Sequence, residues 1–316
     1  MMLQETRAGA PVRQTLQLAD GAVSYLEWKI GEVLPPLHFA HANGFNALTY
    51  RQLLTPLAAR FHIRASDARG HGMTALPADP AHHPGWSVYG ADLIRCLEAF
   101  AEEAGEPVIL GGHSLGAAAS LMVTALRPDL VRGLLLVEPV MPQPLASLII
   151  SLGRHLHLTI GPERLARGAE RRQAVWPDRA TITRTYKGRG AFRTWPDAMI
   201  ADYVEGGTRG RSDGQVELAC APAWEAATFR RTATFWQTGG DIWSYAGRLS
   251  RPVTLIYGGR ESTCSDAVAT RLIKRDPHAN ILRIGTSTHF LPMEEPELVR
   301  REAIALYQRA VAGYAS

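Results

Sequence analysis

The chain has 316 residues, 46% hydrophobic and 20% charged, and 34 Lys+Arg against 30 Asp+Glu give a formal net charge of +4. That composition supports a large folded core and excludes a disordered, collagen-like or low-complexity chain. The three cysteines, Cys96, Cys220 and Cys264, are far apart and form no C-x-x-C pair, which excludes a disulfide framework and a zinc or redox cysteine site.

Met1 to Arg7 hold no apolar segment of the kind that opens a secretion signal, so the chain reads as cytoplasmic. Leu37–Ala40 is the first strand candidate and runs into the loop His41–Asn46. A helix is expected over Thr49–Ala59, a strand over Phe61–Ala65, and an amphipathic helix over Ser87–Glu103 with Tyr89, Leu93, Leu97 and Phe100 on one side. Pro107–Gly111 and Gly133–Val137 are apolar throughout and enclose the small-residue stretch Ala117–Ser120. Short, wholly apolar strands alternating with helices predict an α/β fold: a mostly parallel central sheet with helices on both faces.

The alternation stops near residue 140. Residues 141–247 hold helix candidates, Trp-Pro turns and five of the seven tryptophans. The rhythm returns with a strand at Pro252–Tyr257, a helix at Asp266–Lys274, a strand at Ile281–Ile284 and a closing helix at Pro296–Ala312. The predicted organisation is one core domain, residues 1–140 and 248–316, interrupted by a helical insertion at 141–247. Within the insertion, Leu145–Leu152 is too short to span a bilayer and reads as a buried helix, with weak lipid-surface contact as the lesser alternative. Ten basic residues face three acidic ones between Arg154 and Arg193, which reads as a solvated face or a mild attraction for anions. No basic run is interleaved with aromatics, so no nucleic-acid partner is expected.

The chemistry concentrates at Gly112-His113-Ser114-Leu115-Gly116, directly after a strand. A serine between glycines two positions away on each side marks a sharp strand-to-helix turn that lifts the hydroxyl clear of the sheet. An activated serine needs a base, and the base needs an orienting acid. His289 follows the last strand, so it lies on the same sheet edge as Ser114. Three carboxylates compete for the acid. Glu261, after the Pro252–Tyr257 strand, is the expected one, and Glu138 at the end of the preceding strand and Asp266 at a helix start are the alternatives. One oxyanion donor should be the backbone N–H of Leu115, and a second should come from the His41–Asn46 loop.

Taken in order, the His41–Phe45 loop, Asp67–Gly72, Gly112–Gly116, Gly258–Glu261 and Thr288–Phe290 make the chain resemble the α/β-hydrolase fold superfamily over nearly its whole length. The resemblance implies a Ser-acid-His triad and a helical cap over the serine. Aligning the loop with the family's His-Gly motif places Asn43 in the donor position, with Phe45 as the fallback. Two departures stand out: Ala42 occupies the usual glycine position, and the acid is glutamate rather than aspartate. The expected activity is a serine esterase acting on small-molecule esters with an apolar portion, with no cofactor and no metal. Acyl transfer, cofactor-free perhydrolysis, C–C bond hydrolysis and a non-catalytic binding module are the alternatives.

Overall fold

The computed structural model describes residues 9–31, 33–143, 145, 146, 149, 152, 156, 161–231 and 242–313. Its strands begin with β1 (Val12–Leu18), β2 (Gly21–Trp28), β3 (Pro36–Ala40), β4 (His62–Ser66), β5 (Val108–His113) and β6 (Val131–Val137). A separate small sheet holds β7 (Val175–Trp176), β8 (Thr208–Gly210) and β9 (Val216–Leu218), in the order β7-β9-β8. The chain then returns to the main sheet with β10 (Val253–Gly258) and β11 (Asn280–Ile284). The main sheet has eight strands in the order β1-β2-β4-β3-β5-β6-β10-β11. From β4 through β11 every neighbouring pair is parallel, and the β1–β2 hairpin adds an antiparallel edge. This is the expected mostly parallel α/β sheet.

The helices of the first half are α1 (Arg51–Leu54), α2 (Ser87–Ala104) and α3 (Leu115–Leu126). In the central segment lie α4 (Pro162–Glu170), α5 (Arg179–Tyr186), α6 (Asp197–Gly206), α7 (Pro222–Arg230) and α8 (Ile242–Ala246). The last part holds α9 (Asp266–Ile273), α10 (Leu291–Glu294) and α11 (Pro296–Ala312). The uniform hydrophobicity of the strands follows from this layering. Leu110, Leu134, Leu136 and Leu255 pack with α2, α3 and α9, whereas their chain neighbours Ile109, Leu135, Val137 and Ile256 pack with α1 and α11. Alternate residues face opposite layers, so both sets must be apolar.

Three local expectations change. The Thr49–Ala59 helix is a chain of short pieces, with 3-10 turns at Ala47–Tyr50 and Thr55–Ala59 around the single turn α1, and Pro56 opens the last of them. Residues 141–247 are not purely helical, because β7–β9 lie among their helices. The β8–β9 turn is set by Asp213-Gly214, with Gly214 at φ +82° and Gln215 N–H bonded to Asp213 Oδ1. Of the buried helix expected at Leu145–Leu152, Ser147, Leu148, Ile150 and Ser151 lie outside the described residues, and Leu145, Ile149 and Leu152 are exposed. Among the described residues no helix is long and apolar enough to cross a membrane.

Candidate active site

β5 delivers Ser114 and α3 begins at the next residue. Ser114 adopts φ 58°, ψ −114°, a conformation L-residues avoid, and the tight turn around it depends on the two flanking glycines. A Cβ on Gly112 would lie 2.5 Å from the Gly116 carbonyl, and one on Gly116 would lie 2.2 Å from the carbonyl oxygen of Ala40 at the end of β3. Small residues therefore let α3 seat directly on the sheet, with the serine hydroxyl above it. Among the described residues three non-glycine residues have positive φ: Ser114, Glu138 and Glu261.

His289 lies in the loop beyond β11, and its Nε2 stands 3.1 Å from Ser114 Oγ. Its Nδ1 lies 3.2 Å from Glu138 Oε2 and 3.0 Å from Thr263 Oγ1. Both are acceptors available to an Nδ1–H, which leaves Nε2 free to accept the serine proton. Glu138 follows β6 with φ 51° and is fully buried. Its charge is compensated by converging donors: the Gly258 N–H and Ser262 Oγ at Oε1, and the Thr263 N–H at 3.2 Å and His289 at Oε2.

Glu261 is not brought to His289. The N–H groups of Gly259 and Arg260 bond the carbonyls of Ile284 and Ser287, and the chain then turns outward at Glu261. The Glu261 side chain is 63% exposed and pairs with Arg193 at 2.5 Å. The carboxylate beside the histidine is thus Glu138, the alternative on the preceding strand. Asp266 is the first residue of α9, exposed, bonded to the Tyr257 hydroxyl at 2.8 Å and paired with Arg283.

The loop after β3 is fixed in detail. The Ala42 N–H donates to the Tyr50 hydroxyl, the Phe45 N–H to Ala42 O, and the Gly44 N–H to His71 Nε2. Among the described residues no acceptor reaches the backbone N–H of Asn43 or of Leu115. Phe45, the fallback, has its donor occupied. Ala42 in place of glycine is accommodated and buried. Burial holds His71 down at about 3 and lowers His41 as well, so both rings stay neutral braces of the loop.

One connection had no signal in the sequence. Tyr50 lies 2.8 Å from His113 Nδ1, and His113 Nε2 lies 2.8 Å from the carbonyl of His289. Burial pushes the His113 imidazole well below its ordinary value, so it is neutral, with Nε2–H donating to His289 O and Nδ1 accepting from Tyr50. A continuous relay, Ala42 to Tyr50 to His113 to His289, thereby ties the donor loop to the histidine loop. Ser262 and Thr263 were likewise not anticipated, because a loop hydroxyl carries no sequence pattern. The ligand-type cluster Glu27, His62 and Glu103 lies away from this site and already surrounds the Arg64 guanidinium.

Known proteins resemble the chain in sequence and in fold. The family model described as the alpha/beta hydrolase family matches residues 39–302. Esterase Rv0045c of Mycobacterium tuberculosis is 27% identical over 308 residues, covering 94% of this chain and 91% of that protein. A 2-(acetamidomethylene)succinate hydrolase of Mesorhizobium japonicum is 35% identical over 104 residues, 33% of this chain and 35% of the relative. Among solved structures, that of E-2-(acetamidomethylene)succinate hydrolase superposes with a TM-score of 0.74 at 20% identity, covering 94% of this chain and 99% of the other.

Proposed function

This chain belongs to the alpha/beta hydrolase family, with esterase or related hydrolase activity, and from that premise we propose that it is a serine hydrolase cleaving carboxylic esters. The observation that carries the reading is the aligned series Ser114 Oγ, His289 Nε2, His289 Nδ1 and Glu138 Oε2, with contacts of 3.1 and 3.2 Å. Ser114 attacks the ester carbonyl as His289 takes its proton, and the tetrahedral oxyanion is held by the N–H groups of Asn43 and Leu115. His289 returns the proton to the departing alcohol. Water, activated by the same imidazole, then attacks the acyl-serine and releases the acid. Glu138 keeps the proton of the neutral ring on Nδ1 and offsets the positive charge that develops.

Residues 141–247 act as the cap. Trp195 packs edge-on against Phe45 at 5.3 Å and Phe290 at 5.7 Å, and Phe45 stacks on Phe290. These rings flank the donor loop and His289, which favours substrates with an apolar acyl or alcohol part. The succinate hydrolase relative supports a second reading, hydrolysis of a non-ester acyl substrate on the same residues. Ser114→Ala should abolish both short p-nitrophenyl ester hydrolysis and fluorophosphonate labelling in a folded protein. Hydrolysis retained in that variant would overturn the assignment, and activity confined to amides in the wild type would favour the second reading.

A further inference from the structure

Asn43 and Gly44 are gripped by two residues of the 141–247 segment, which a third joins. The Tyr203 hydroxyl on α6 donates to the Gly44 carbonyl at 3.1 Å, and the Asn43 amide Nδ2 donates to the backbone carbonyl of Glu225 on α7 at 3.1 Å. Gly44 has φ +75°, and a Cβ there would sit 2.6 Å from Glu225 Oε1, so the carboxylate packs against bare backbone. Arg172, just beyond α4, joins the two grips: Nη2 donates to the Tyr203 hydroxyl at 2.7 Å and Nη1 to the Glu225 carboxylate. Tyr203 and Glu225 are buried.

A planar guanidinium that bridges a hydroxyl and a carboxylate fixes their separation in a way a flexible ammonium does not. Here that separation sets the position of Gly44. Its carbonyl oxygen is held by Tyr203, and its N–H by His71 at 2.9 Å. With the peptide groups on both sides of Gly44 held, the neighbouring Asn43 N–H has no acceptor among the described residues and stays available to a substrate. We propose that Arg172, Tyr203 and Glu225 are positioning residues for oxyanion stabilisation: a latch through which the 141–247 segment sets the Asn43 donor. The inference rests on the reading of Ser114 as nucleophile. It makes α6 and α7 fixed parts of the site, acting on the transition state through the donor loop.

The test is Tyr203→Phe, which removes one hydroxyl and keeps the ring. The expected result is a roughly 10- to 100-fold fall in kcat with KM within about twofold, since donor placement acts on the transition state. A trifluoromethyl ketone analogue of the ester, which forms a tetrahedral adduct on serine, should weaken by the same factor as kcat/KM. Arg172→Lys, which keeps the charge and loses the fork, should move both readouts in the same direction and serves if Tyr203→Phe does not fold. Unchanged kcat and inhibitor affinity would overturn the proposal, as would a loss of thermal stability with inhibitor affinity intact. Hydrolysis retained by Ser114→Ala would instead overturn the reading beneath it.

Discussion

Glu138 and Glu261 follow the ends of neighbouring parallel strands, β6 and β10, and both have positive φ, yet they point in opposite directions. Glu138 is fully buried beneath His289, whereas Glu261 extends to Arg193 at the surface. Glu138→Gln should therefore lower kcat by on the order of 10²–10⁴, because an amide can present its NH2 to His289 Nδ1 and favour the wrong ring tautomer. Glu261→Gln should leave kcat within about twofold, since it loses only an exposed ion pair. Steady-state kinetics on one ester decides between them, and the opposite ranking would restore Glu261.

The relay through Tyr50 gives a second expectation. Tyr50→Phe leaves the Ala42 N–H and His113 Nδ1 buried without their partner, at a cost of about 1–3 kcal/mol for an unsatisfied group. Urea unfolding should register that loss. Activity should fall alongside it, because the hydroxyl links the donor loop to the histidine loop. A variant with wild-type stability would remove the relay from the account.

Gly116→Ala tests how tightly α3 is seated. The added methyl would meet the carbonyl oxygen of Ala40 at 2.2 Å, which is backbone and cannot swing aside. Overpacking of this kind costs about 1–3 kcal/mol. The melting temperature should drop and hydrolysis should be lost together, because the helix carries the Leu115 donor. An active, equally stable variant would contradict the packing described.

Stability should also weaken in mild acid. Burial holds His38 and His71 at about 3, whereas an unfolded histidine titrates near 6.5. The unfolded chain binds more protons below that value. The contribution of each ring is thus complete above pH ~6.5 and is lost as the pH falls toward 3, with a slope of up to about 1.4 kcal/mol per pH unit per histidine. Urea midpoints measured from pH 7.5 to 4.5 should fall, and His38→Gln should flatten the slope. An identical slope in that variant would refute the assignment.

Much of this was legible in the sequence because it lay in short-range pattern. The apolar strands, the glycines around Ser114 and the position of His289 after the last strand follow from local chemistry. The β1–β2 hairpin was missed because β1 is an exposed edge strand, and its Asp20-Gly21 turn was the available cue. The choice between Glu138 and Glu261 was not local. Both follow strand ends between serine and histidine, and what separates them is the set of donors, Gly258, Ser262 and Thr263, that folding gathers around one carboxylate. The hold of Tyr203 and Glu225 on Gly44 joins residues more than 150 positions apart and leaves no periodicity to read.

The bond from the Gly258 N–H to Glu138 has a consequence for how such chains diversify. It joins the residue where the chain leaves the main sheet after β6 to the last residue of β10, the strand by which it returns, and so pins the neck of the segment between those two strands. A graft that preserves residue 138 and the whole of β10 in register can exchange the cassette between the two strands while the acid keeps its place under the histidine. The donor loop, by contrast, would have to be matched anew to each cassette, so compatible exchanges should carry their own partner for the Gly44 carbonyl.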